Sequence, residues 1–134
     1  MNTKHCYLFV YGTLMRASQH EMSQLLKQHS TFISPAYLIA RLYQIHHYPG
    51  AVLSDNPDDK VFGELYDISA NRWLLQRLDD YEECSAAFTK PHEYSRTQVQ
   101  IYMTEKHFNT AWTYLYNYPV RAEQQILSGD FFKR

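Results

Sequence analysis

The run Tyr7-Leu8-Phe9-Val10-Tyr11 is β-branched and aromatic, and it stops abruptly at Gly12, Thr13 and Leu14. Such a run favours a buried strand. A glycine at its end permits a tight turn whose amide N–H groups approach a ligand with no Cβ in the way. The chain is therefore expected to open with a buried strand that delivers an exposed backbone turn.

Ser18-Gln19-His20-Glu21 has the S-x-x-E form of a capping box, and Met22, Leu25 and Leu26 recur at helical spacing, which predicts a short helix over about 19–28. From Pro35 the chain reads as strands: AYLIARLYQI, a turn at Tyr48-Pro49-Gly50, AVL, a polar loop and then VFGELYDI. Ser69 is the expected N-cap of a second helix through RWLLQRLDDY. Period-two alternation marks two last strands, Tyr94 to Met103 and Ala111 to Tyr118. Strands with two inserted helices argue a mixed α/β (α+β) fold. Closure into a small closed or partly closed β-barrel would remove exposed strand edges; periodicity alone does not decide it.

A chain of 134 residues is read as a single domain over 1–134. Twelve tyrosines in an aromatic content of 16% suggest a sheet-rich core with a polar-tipped pocket. The net charge is −1 with the signs well mixed, which argues against a nucleic-acid partner. The apolar run after Lys4 breaks at Gly12, too short for a membrane span or a signal-peptide core, so no membrane association is expected. Cys6 and Cys84 are then read as reduced thiols in the cytoplasm. Neither carries a local nucleophile signature, and no G-x-S-x-G or phosphate-binding loop is present.

Glu82 is the leading chemical candidate. Leu74, Leu75, Leu78 and Tyr81 define one apolar helical face at about 100° per residue. If the helix reaches that far, Glu82 falls within roughly 50° of the face centre, whereas Asp80 and Glu83 point away. A carboxylate aimed at apolar surroundings loses hydration, which raises its pKa toward a value suited to proton exchange near neutrality. The alternative is a helix-end glutamate that bends out to water. Asp79 reads as a helix-end hydrogen-bonding residue. No His or Cys lies at ligand spacing from Asp79, Glu82 and Glu83, so neither a metal site nor any other cofactor is expected. His46 and His47, read as strand neighbours, would point to opposite faces.

Six segments, YGTL at 11–14, YPGAVL at 48–53, GELYDI at 63–68, LDDYEE at 78–83, EYSR at 93–96 and SGDF at 128–131, occur in the order of one family. In these, the chain resembles γ-glutamylcyclotransferase-like (AIG2-like) proteins of the small bacterial branch over nearly all of its length. The resemblance implies a γ-glutamylcyclotransferase-like barrel and a small-molecule γ-glutamyl substrate, with Glu82 as the acid/base of the L-D-x-x-E segment. It implies that Tyr11, Gly12, Thr13 and Leu14 form the substrate loop. It also matches Tyr94 and Arg96 to a Y-x-R segment and Tyr114 to a tyrosine of the penultimate strand segment. Arg96 pairs with a carboxylate of either substrate or protein; Tyr114 shares its face with Tyr116 and Tyr118, any of which can serve as core. One position departs: the family has glycine directly after the glutamate and this chain has Glu83. The implied reaction is release of 5-oxoproline by attack of the substrate's own α-amine. A non-catalytic small-molecule binding module with the same pocket is the alternative. The half of the site that receives the leaving amine carries no readable motif, and the oligomeric state is not written in the sequence.

Overall fold

The computed structural model describes residues 5–12, 14–15, 20–104 and 107–134. Along the chain run β1 (Tyr7–Val10), α1 (Glu21–His29), β2 (Thr31–Gln44), β3 (Pro49–Leu53), β4 (Lys60–Asp67), α2 (Leu74–Tyr81), β5 (Tyr94–Thr104) and β6 (His107–Tyr116). The sheet order is β3-β2-β4-β1-β6-β5, and a further pairing of β2 with β5 at Tyr37 and Tyr102 closes five of the six strands into a barrel. β3 is the extra strand, attached to β2 alone in the sheet. The neighbours are antiparallel except β1 and β6, which run parallel with Leu8 opposite Trp112.

β1 is apolar throughout because both of its faces are covered. Phe9 joins Leu38, Val61, Leu65, Ile101 and Ala111 in the barrel core. Leu8 and Val10 join Met22 and Leu26 of α1 and Leu74 and Leu78 of α2. Each such leucine taken fully out of water stabilises the fold by about 1.5–3 kcal/mol, and this second cluster binds both helices to the barrel. Among the described residues, no helix is long and apolar enough to cross a membrane, and Cys6 and Cys84 are free.

Four local expectations need correction. His20 caps α1, its Nδ1 accepting the Met22 amide at 3.0 Å; Ser18 of the expected capping box lies outside the described residues. Ser69 does not cap α2. Its amide and hydroxyl both donate to Asp67 Oδ1, at 2.8 and 2.5 Å, and it heads a single 3-10 turn before α2 begins at Leu74. Pro49 and Gly50 belong to β3, opposite Gln44 and Tyr43, since an edge strand tolerates proline. Residues 45–48 form the turn instead, with the Ile45 amide donating to the Tyr48 carbonyl at 3.0 Å, so His46 and His47 lie on a turn and not on a strand.

Candidate active site

The end of β1, the start of β3, the C-terminus of α2 and the start of β5 converge on a cavity of about 330 Å³, within the range of small-molecule sites. Tyrosines tie its walls together. Tyr11 donates its hydroxyl to the Tyr114 carbonyl at 2.5 Å and accepts the Ala51 amide at 3.2 Å. Tyr94 donates to the Pro49 carbonyl at 2.6 Å. Burial raises the pKa of both phenols above the ordinary tyrosine value, so they remain neutral hydrogen-bonding groups.

Glu82 lines this cavity at the C-terminus of α2, which ends in a Schellman turn. Glu82 is the C-cap, Glu83 donates its amide to Asp80 at 3.2 Å, and Cys84 donates to Asp79 at 2.9 Å. The turn requires a left-handed residue after the cap, and Glu83 takes that conformation with φ 57°. This is where glycine is favoured. Contrary to the helical projection, Glu83 does not point away from the site: the helix stops at Tyr81, and Glu83 lines the cavity beside Glu82.

Desolvation pushes the Glu82 carboxyl up to about 7, and the negative charge of Glu93 adds to the effect. No hydrogen bond from the described residues reaches this carboxylate. The Glu82 side chain is half-buried at the cavity wall. Cys84 is pushed up to about 11 by burial, with Asp79 contributing, so it is a thiol near neutrality and no competing nucleophile.

Of the residues singled out by sequence, Tyr11, Gly12, Leu14, Glu82, Tyr94 and Tyr114 line one cavity; Thr13 lies outside the described residues. The Gly12 carbonyl accepts the Met15 amide at 3.0 Å, closing the turn, while the Gly12 and Leu14 amides have no protein acceptor among the described residues. Glycine is required at position 12 by contact: a Cβ there would lie 2.9 Å from the Pro49 ring.

Arg96 is elsewhere. It forms a two-point ion pair with Asp79, Nε to Oδ1 at 2.7 Å and a terminal nitrogen to Oδ2 at 3.1 Å. Its guanidinium stacks on Trp112 at 4.4 Å from the ring centre. Tyr114 donates its hydroxyl to the same Asp79 oxygen at 2.7 Å. The carboxylate partner of Arg96 is thus the protein's own, and Asp79 anchors the C-terminal turn of α2 to β5 and β6. Glu93, Tyr48, His20 and His47 also line the cavity and were not singled out for it by sequence. Glu93 and Tyr48 are the first residues of EYSR and YPGAVL, and that adjacency was the signal available. Tyr48 donates to Glu93 Oε2 at 2.7 Å.

The family model described as "Gamma-glutamyl cyclotransferase, AIG2-like" matches residues 8–133. A gamma-glutamylcyclotransferase family protein, YtfP of Escherichia coli K12, is 34% identical over 131 residues, covering 95% of this chain and 96% of YtfP. The crystal structure of YkqA from Bacillus subtilis superposes with a TM-score of 0.72 at 25% identity, covering 97% of this chain and 40% of YkqA. An AIG2-like protein from Mus musculus superposes with a TM-score of 0.66 at 23% identity, covering 90% of this chain and 82% of its own, a likeness of fold.

Proposed function

The chain belongs to the AIG2-like γ-glutamyl cyclotransferase family, and on that premise we propose that it converts a γ-glutamyl amine or peptide into 5-oxoproline and the free amine. The observation that carries this reading is the Glu82 carboxylate, desolvated, without a hydrogen-bond partner among the described residues, and facing a cavity walled by neutral tyrosines. The attacking amine belongs to the substrate, so no protein nucleophile is needed. Ionised Glu82 takes a proton from the α-ammonium, and the freed amine forms the ring C–N bond at the γ-carbonyl. Collapse of the adduct breaks the original amide C–N bond as Glu82 returns its proton to the departing nitrogen, and the second proton lost by the ring nitrogen ends on the released amine, which leaves as its ammonium. The Gly12 and Leu14 amides, which have no protein acceptor among the described residues, would hold the α-carboxylate.

The test is 5-oxoproline release from a panel of γ-glutamyl amines and dipeptides. The productive form of Glu82 is the ionised one, so kcat/KM should rise with pH through about 7 and then level. Absence of product across the panel, with ligands still bound, would leave the binding-module reading. Gly12→Val is expected to weaken binding of 5-oxoproline or glutamate at least tenfold, about 1.4 kcal/mol, in protein whose melting curve shows it folded. Unchanged affinity in folded Gly12→Val protein would place the pocket elsewhere.

A further inference from the structure

The described lining of the cavity is acidic. Glu83 and Glu93 line it together with Glu82, and none of its described lining residues is a lysine or arginine. Two histidines also line it, His20 and His47; the Nδ1 of His20 accepts the Met22 amide and its Nε2 lies 3.2 Å from the Tyr81 hydroxyl. Glu93 has one oxygen fixed by Tyr48 and the other without a partner among the described residues. Glu83 remains at the rim in a left-handed conformation that disfavours any side chain. The half-buried carboxylate of Glu82, without a hydrogen-bond partner among the described residues, faces the same cavity and marks it as the ligand site proposed above.

We propose that Glu83 and Glu93 form the leaving-group subsite and select γ-glutamyl compounds whose amine half carries a second, distal ammonium. The inference rests on the reaction proposed above and adds the charge of the leaving group. A distal carboxylate would meet two like charges with no lysine or arginine among the described lining residues to offset them, whereas an ammonium would be paired in a partly desolvated cleft.

Three γ-glutamyl amides with equal two-methylene spacers test it: those of 1,2-diaminoethane, propylamine and β-alanine, ending in ammonium, methyl and carboxylate. The ratio of kcat/KM between the ammonium and carboxylate ends should be at least tenfold. It should contract in Glu83→Gly and in Glu93→Gln, with the change carried by KM. Glu83→Gly relieves the left-handed strain and Glu93→Gln retains an acceptor for Tyr48, so both variants are expected to fold. Binding separates this inference from the reaction itself. The matching N-glutaryl amides lack the α-amine and cannot cyclise, so their affinities are read on the wild-type protein by calorimetry. Tighter binding of the ammonium-ended analogue, without 5-oxoproline from any γ-glutamyl amide, would uphold the subsite and overturn the reaction. Equal affinities, preference for the carboxylate end, or no binding of either would overturn the subsite. A preference that persists undiminished in both variants would show that other groups produce it.

Discussion

Glu82→Gln is expected to lower 5-oxoproline release by roughly 10²-fold or more, because it preserves the shape of the side chain and removes proton exchange. The same substitution should leave the protein at least as stable above neutral pH. In the folded state the Glu82 carboxyl is raised from 4.5 to about 7, so the native chain holds that proton more tightly than the unfolded chain does. The corresponding stability is fully present below about 4.5 and is lost as pH rises through about 7. Wild type should therefore lose stability across that window, and Glu82→Gln should lack that part of the slope. Activity lost together with a collapse of the melting transition would mean that Glu82 serves the fold and not the chemistry. Normal turnover in Glu82→Gln beside an inactive Glu83→Gln would mean that the wrong carboxylate has been assigned.

Parts of this site were legible because they depend on local pattern. β1 and the glycine turn follow from one apolar run, and the direction of Glu82 follows from three leucines and a tyrosine at helical spacing. The position of Glu83 was not legible from the helical wheel, since it depends on where α2 stops; the Schellman turn swings the next residue back toward the cavity. Barrel closure rests on a single β2–β5 pairing at Tyr37 and Tyr102, and an alternating strand carries no mark of which distant strand it will meet. The Pro49-Gly50 pair looks like a turn in sequence. It is strand in the fold because β3 is an edge, and because a Cβ at position 50 would lie 2.8 Å from Tyr116. Arg96 was undecided between substrate and protein carboxylates for the same reason: Asp79 is 17 residues away and reaches it only once α2 packs on the barrel.

That ion pair supports the second large expectation. Arg96 and Asp79 are 24% and 13% exposed, and removing the guanidinium leaves a mostly buried carboxylate with the Tyr114 hydroxyl as its principal donor. Breaking a fully buried pair from one side costs about 3–5 kcal/mol. The residual exposure here screens the charge, so Arg96→Met should cost ~2 kcal/mol, with Met retaining part of the packing on Trp112. Adding Asp79→Leu should recover part of that loss, because replacing both charges with apolar side chains leaves no orphaned carboxylate, although Tyr114 then lacks its acceptor. The functional consequence travels through Asp79 to the last turn of α2. With the anchor gone, Glu82 is held less well against the cavity, and kcat should fall more than KM rises. The opposite pattern, a large rise in KM with an unchanged melting curve, would return Arg96 to the substrate: its guanidinium would then have to leave Asp79 when ligand binds, and Asp79 would cease to be the anchor of the catalytic turn.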